Sequence, residues 1–434
     1  MSGSYVVNIW FISRLAGDQF GAGEAVEERF RTMNTSSPVR LVRIDIGDEE
    51  AADIGLDVPA GHRLWIEISK FGQIVGVVER SADEVGISAA TIKDLIRQFA
   101  DVGTSNGETF PAERLPKASV VVATIYRRVD LLDRAVKSLL DLDYPDYEII
   151  VVDNRVGSGH TPIPEFSDDG RVRIVAEGTP GVSAARNRGV AESRGEFIAF
   201  TDDDVEVEPN WLRELGIAFA EDPTIDAIGG MIRPSELETA PQLWFEEFYG
   251  GFTRSFRPTQ WSLELTGKSD PMFPYSPGHF GAGCNMAVRR SAFDQVGGFD
   301  VRLGGGTLCV SGEDLKVFLD ILFSGGKLAY VPSAVVYHTH RRTEEQFMEQ
   351  VYGYGVGLTA IFTDLITQDP RHLIRILKRV PLGMRMLLAP TKRRSPSLIN
   401  SYPRRTQLVQ LAGMAYGPIA FGRSAAKVRS TGRR

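Results

Sequence analysis

From Ala118 onward one pattern repeats: a short apolar run ending in a polar group, then a stretch of helical period. The run Ser119–Ala123 ends at Thr124, and Glu148–Val152 ends at Asp153. Val172–Val175 forms a third such run, and Phe197–Phe200 a fourth that leads into Asp202-Asp203-Asp204. Between them, Val129 to Leu140 places Leu131, Leu132, Ala135, Leu139 and Leu140 on one helical stripe, and Ser183 to Ser193 reads as a second helix with Ser183 as its N-cap. Continuously apolar strands alternating with helices are buried on both faces, and they pair in parallel through right-handed crossovers. Ligands of such sheets bind beyond the carboxyl ends of the strands. That rim here carries Thr124, Asp153 and three consecutive carboxylates, an unfavourable concentration of charge unless a cation or solvent meets it. An acidic turn would explain the triplet in isolation. Together with the other strand ends and with Glu313-Asp314 further along, it describes a site for a divalent metal and a nucleotide phosphate.

A chain of 434 residues is too long for one ordinary core and predicts two or three units. With 43% hydrophobic and 24% charged residues it has the balance of a globular protein. Its two cysteines, Cys284 and Cys309, argue against a disulfide framework or a cysteine-rich zinc site. The amino terminus lacks the basic segment and apolar core of a signal peptide, and no stretch approaches about eighteen uninterrupted apolar residues. The expected location is therefore cytoplasmic.

Residues 1–110 read as a small α+β accessory domain. Leu64–Ile68 and Ile74–Val78 alternate like the strands of a hairpin around Gly72, and Ser88 resembles an N-cap for a helix running toward Phe99. Nothing there has catalytic spacing. Residues 111–117 close a Gly-, Ser-, Thr- and Pro-rich linker, residues 118–340 form the strand–helix unit, and residues 341–434 a basic helical region. From Arg371 to Arg434 there are fifteen Lys or Arg and no Asp or Glu, so the net −7 of the whole chain hides a far more acidic body. The apolar residues interleaved with that charge suit a helix on the anionic inner face of a membrane, or equally one that packs on the acidic body. Both readings stay open; no nucleic-acid reading motif accompanies the charge.

Thr124 is followed by Tyr126, Arg127 and Arg128, with no Gly-x-Gly-x-x-Gly turn and no P-loop, which argues against a dinucleotide dehydrogenase or a P-loop NTPase. Asp153 suits a ribose hydroxyl or a base N–H, although a turn residue would look the same. Arg186 suits a diphosphate or, alternatively, the neutralisation of the aspartates.

These residues carry a resemblance. Val120–Thr124, Asp153-Asn154, Gly181–Asn187 and Phe200–Asp204 resemble, in order and spacing, the family 2 glycosyltransferases. Gly281–Arg290, Val296–Asp300, Gly312–Leu315 and Tyr337-His338 extend the match across about residues 118–340. The resemblance implies a GT-A fold: a Rossmann-like mixed α/β sheet flanked by helices, holding a nucleotide-diphosphate sugar donor and Mn²⁺ or Mg²⁺. It assigns Asp202 and Asp204 to the Asp-x-Asp metal motif, a register that Pro209 supports, with His338 as a further metal ligand and His340 as its competitor. Thr124, Tyr126, Arg127, Asp153, Arg186, Asp202 and Asp203 fall to the donor nucleotide, and Gly283 and Asn285 to the sugar or acceptor. Asp314 becomes the general base and Glu313 its helper, whereas a helix dipole alone would also favour acids there. Gly304-Gly305-Gly306 suggests a mobile loop or merely a turn. An inverting, single-displacement transfer to a hydroxyl acceptor (a glycan, a lipid-linked or a small molecule) follows from the same resemblance, in polysaccharide, glycolipid or natural-product glycoside synthesis. A sugar-1-phosphate nucleotidyltransferase would need a glycine-rich basic loop after the first strand, which Ile125–Arg128 is not. A silent sugar-binding scaffold is the alternative from another class.

Overall fold

A computed structural model describes residues 39–45, 63–70, 73–81, 110–155, 169–252, 255–266, 270–388 and 402–430. The expected helix after Ser88 and the Gly72 turn lie outside the described residues.

The first three strands, β1 (Val39–Asp45), β2 (Arg63–Lys70) and β3 (Gln73–Ser81), form a sheet of their own. β2 and β3 pair antiparallel, as the hairpin pattern predicts, and β1 adds in parallel to β2. This sheet is docked on the rest of the chain. Val39, Trp65 and Val77 share a core with Leu237, Trp244 and Phe347, and Glu67 meets Arg233 at 2.6 Å with both side chains buried.

The large sheet is built from β4 (Ala118–Thr124), β5 (Tyr147–Asp153), β6 (Val172–Ala176), β7 (Phe197–Asp202), β9 (Ala227–Pro234), β10 (Thr259–Trp261), β11 (Met286–Arg289) and β12 (Leu328–His338), in the order β10-β12-β9-β11-β7-β4-β5-β6. A short β8 (Val205–Val207) pairs antiparallel with the end of β12. β4 to β7 are mutually parallel, and β11 is antiparallel to both of its neighbours. The sheet is therefore mixed, in agreement with the GT-A architecture.

Period-two alternation sends each strand's side chains into two cores. Val120, Val122, Ile149 and Val151 meet α1 (Val129–Leu140) and α3 (Trp211–Glu221) on one face. Val121, Ile150, Val152 and Phe200 meet α2 (Val182–Glu192), α4 (Glu313–Phe323), α5 (Glu344–Gln368) and α8 (Thr406–Ser430) on the other. Two short helices, α6 (Arg371–Leu377) and α7 (Val380–Leu388), lie between α5 and α8 in the chain. No helix among the described residues is long and apolar enough to cross a membrane.

α8 runs against α5 at backbone distance. A Cβ on Gly413 would stand 2.3 Å from the Tyr352 carbonyl oxygen, and one on Gly355 would stand 2.3 Å from that of Gln410. Pro418 lies inside α8 and has no N–H to give to the Met414 carbonyl one turn earlier. Thr359 Oγ1 of α5 donates to that carbonyl instead, at 2.8 Å. Further along α8, Ser424 Oγ donates to the Arg302 carbonyl at 2.7 Å and Phe421 lies 4.6 Å beneath the Arg302 guanidinium, so this part of the basic region packs on the strand–helix unit.

Ser183 does not cap α2. The helix starts at Val182, the capping position is Gly181 at φ 129°, and Ser183 Oγ donates to the Leu303 carbonyl at 2.7 Å. Gly181 adopts a backbone conformation that a side chain would strain, so the cap is chosen by backbone geometry rather than by a hydroxyl.

Candidate active site

Register places the rim residues side by side. Thr124 pairs with Asp153 across β4 and β5, and Ala123 pairs with Asp202 across β4 and β7. β8 and β12 bring His338 opposite Val205, next to Asp204. The rim opens into a cavity of about 2000 Å³ whose wall includes Thr124, Arg127, Asp202, Asp203, Asp204, Gly283, Glu313, Asp314 and His338.

The three aspartates have different partners. Asp202 receives Arg186 Nη2 at 2.8 Å. Asp203 accepts from Thr124 Oγ1 at 2.6 Å, and burial pushes its carboxyl up to about 6. Asp204, nearly fully buried, pairs with Arg128 Nη2 at 2.8 Å, with Arg341 at 3.9 Å. Arg128 and Arg341 stand out only in three dimensions. One lies at the start of α1 and the other beyond β12, and nothing in their local sequence marks them.

Arg186 is buried in the cavity wall and holds Asp202 with one amino group and Glu313 Oε1, at 2.7 Å, with the other. Of the two roles open to it, the geometry supplies charge neutralisation. Gly283 permits this, because a Cβ there would stand 2.8 Å from both terminal nitrogens of Arg186. Burial, reinforced by Asp314 and opposed by Arg186, raises the Glu313 carboxyl to about 7. Asp314, at the start of α4, accepts Gly283 N–H at 2.6 Å and Leu315 N–H at 2.8 Å, which fixes its carboxylate on the cavity wall. The Gly304–Gly306 segment packs on the start of α2, where Gly305 accepts Val182 N–H at 2.9 Å.

Three expected site residues, Asp153, Tyr126 and Asn285, lie behind the wall. Asp153 has both oxygens bound by Arg155, at 2.9 and 2.7 Å, and the Arg155 guanidinium lies 4.2 Å over the Tyr126 ring. Tyr126 holds a left-handed backbone at φ 55°, and its buried hydroxyl has no hydrogen-bond partner among the described residues. Asn285 requires a correction: it is not on the cavity wall. It is fully buried, accepting Trp211 Nε1–H at 2.8 Å and donating to the Met231 and Ala334 carbonyls at 2.8 and 2.9 Å, so it joins β9, β12 and α3.

His338 is the most informative member. His340 Nε2 lies 2.8 Å from Glu246 Oε1, and the Nδ1 atoms of His340 and His338 lie 3.0 Å apart. A carboxylate only accepts, so His340 donates from Nε2 and, when neutral, accepts at Nδ1. His338 then donates from Nδ1. Burial lowers His338 to about 4, so at neutral pH its Nε2 carries a bare lone pair. That lone pair faces Asp204 Oδ1 at 3.7 Å, beyond hydrogen-bond reach. Two acceptors facing each other in a buried site repel unless a cation lies between them. An oxygen and an imidazole nitrogen are suitable donors for Mn²⁺, and a metal ligand's second nitrogen is usually anchored in this way. Among the described residues no three His, Cys, Asp or Glu side chains gather as a complete metal cage. Cations that act on phosphates ordinarily take only one or two protein ligands, the rest coming from substrate and water. The donor set fits on those terms.

Residues 119–297 match the family model described as glycosyl transferase family 2. The chain carries a family 2 glycosyltransferase domain. Over 240 residues it is 27% identical to the glucosyl-dolichyl phosphate glucuronosyltransferase of Haloferax volcanii, covering 54% of this chain and 70% of that one. Over 175 residues it is 30% identical to the pre-mycofactocin glycosyltransferase of Mycobacterium tuberculosis, covering 40% of this chain but only 33% of the relative. The succinoglycan biosynthesis protein ExoO of Rhizobium meliloti is 30% identical over 234 residues, covering 52% and 62%. Among solved structures, the mannosyltransferase of Pyrobaculum calidifontis in complex with GDP-Man and Mn²⁺ aligns with a TM-score of 0.45 and 16% identity, over 74% of this chain and 92% of that one. The glycosyltransferase domain holds every rim residue from Thr124 to Gly283, while Asp314 and His338 lie downstream of the matched segment.

Proposed function

We propose that the protein transfers a sugar from a nucleotide-diphosphate donor to an acceptor hydroxyl, with inversion, in a site that takes Mn²⁺ or Mg²⁺. The observation that carries this reading is the opposition of Asp204 Oδ1 and His338 Nε2 at 3.7 Å in the same cavity as the backbone-anchored Asp314. A divalent ion there supplies charge stabilisation to the departing diphosphate.

The remaining roles fall to the chain. Asp204 and His338 hold the ion, with Asp202 beside them. Arg186 neutralises Asp202 and the buried Glu313, so that the wall does not repel the diphosphate. Thr124, Arg127 and Asp203 border the nucleoside end. A nucleoside that reaches Asp153 displaces Arg155 from it, and a polar base atom over Tyr126 relieves the buried hydroxyl, worth about 1–3 kcal/mol. Asp314 takes the acceptor proton as the acceptor oxygen attacks the anomeric carbon and the sugar–phosphate bond breaks. One base and a single displacement give inversion.

A thermal-shift screen of UDP-, GDP- and dTDP-sugars, each with and without Mn²⁺, tests this. One donor family is expected to raise the melting temperature only when Mn²⁺ is present. No shift with any of them would remove the reading.

A further inference from the structure

The cavity is larger than a sugar nucleotide requires. At about 2000 Å³ it exceeds the roughly 300–1,000 Å³ of an ordinary small-molecule pocket. Its carboxylate end accounts for the donor. The same cavity also runs along α5, α6, α7 and α8, an apolar arm to whose wall Phe362, Ile376, Val380, Met384, Leu411 and Met414 contribute. None of these six is fully buried; Phe362 and Ile376 also pack against the core beneath them, and all six leave apolar surface exposed along the cavity. Apolar surface left open to water is unfavourable, and unbranched methionines adapt to a flexible apolar guest.

Arg379 lines the same cavity. Its terminal nitrogens donate only to the Arg375 and Phe273 carbonyls, at 3.0 and 3.1 Å, and it lies 5.0 Å over the Tyr275 ring. Its Nε is buried with no hydrogen-bond partner, and among the described residues no carboxylate is within ion-pair distance of it. An uncompensated guanidinium beside an apolar arm is suited to a phosphate or phosphodiester. The outer faces of the same helices expose Leu373, Ile374 and Leu377 beside Arg371, Arg375 and Lys378, the composition of a helix lying on an anionic lipid surface.

We propose that the acceptor is lipid-linked: its hydrocarbon chain occupies the arm between α5, α7 and α8, and its anionic linkage meets Arg379. This rests on the glycosyl-transfer reading and adds the acceptor class to it.

Calorimetric titration of the full chain with farnesyl phosphate, farnesol and inorganic phosphate, all below micelle-forming concentration, tests the proposal. Farnesyl phosphate is expected to bind at least tenfold more tightly than farnesol, with no binding of inorganic phosphate alone. Met384→Asp and Met414→Asp should each weaken farnesyl phosphate tenfold or more. Met384→Trp, which fills the arm without adding charge, should do the same. Arg379→Gln should weaken farnesyl phosphate and leave farnesol unchanged. The Mn²⁺-dependent nucleotide-sugar shift should persist in all four variants. Inorganic phosphate binding as tightly as farnesyl phosphate, or variants that bind it as the parent does, would overturn the proposal. A parent that binds farnesyl phosphate but no nucleotide sugar would keep the arm and remove the donor reading instead.

Discussion

Arg186 and Glu313, separated by 127 positions, meet at 2.7 Å in the cavity wall, both almost completely buried. The pair joins α2 to α4 and, through the second amino group of Arg186, to the acidic end of β7. It makes the rim a single charged unit, and the consequences of breaking it are specific.

Arg186→Leu removes the only cation shared by Asp202 and Glu313 among the described ion pairs and leaves the buried Glu313, beside the partly exposed Asp202, uncompensated. The expected loss is about 3–5 kcal/mol in urea unfolding. A loss below about 1 kcal/mol would mean that the acids find solvent or other partners.

Glu313→Gln tests the charge itself. The folded carboxyl sits near 7, above its ordinary value of 4.5. A raised pKa means that the folded state binds the proton more tightly than the unfolded chain. Its contribution to stability is then complete below pH 4.5 and is lost as pH rises through 7. Glutamine cannot titrate. The stability of the parent relative to Glu313→Gln, measured without metal, should fall by up to roughly 3 kcal/mol across that window. A difference that does not change with pH would show that Arg186 keeps Glu313 ionised throughout.

Thr359 and Pro418 form a natural double-mutant cycle. Thr359→Val leaves the Met414 carbonyl without its donor and should cost about 1 kcal/mol. Pro418→Ala restores a helical N–H to that carbonyl, so Thr359→Val should cost much less in the Pro418→Ala background. Equal costs in both backgrounds, by urea unfolding, would remove the compensation.

The parts of this molecule that can be read from its sequence are those fixed by local pattern. The apolar runs at β4, β5, β6 and β7 declare buried parallel strands, and parallel strands in register deliver Thr124, Asp153 and Asp202 to one rim. What resists reading is set by distant partners. Arg128, Glu246 and Arg341 act through residues brought near by the sheet, and no spacing announces them. Asn285 has the composition of a pocket residue, yet the closing of β9 and β12 around it turns it into a buried joint. Pro418 and its neighbouring glycines look like a helix interruption. The helix continues because a threonine on α5 supplies the missing hydrogen bond, and because the glycines let the two backbones approach.

The most direct measurement compares Asp204→Ala and Asp314→Asn for Mn²⁺-dependent binding and turnover of the donor identified by the thermal-shift screen. Asp204→Ala is expected to weaken Mn²⁺-dependent donor binding tenfold or more, and turnover with it. Asp314→Asn should bind donor and Mn²⁺ as the parent does while turnover falls by about 10²–10⁴-fold. Parent-like turnover in Asp314→Asn, or undiminished Mn²⁺-dependent binding in Asp204→Ala, would contradict the account.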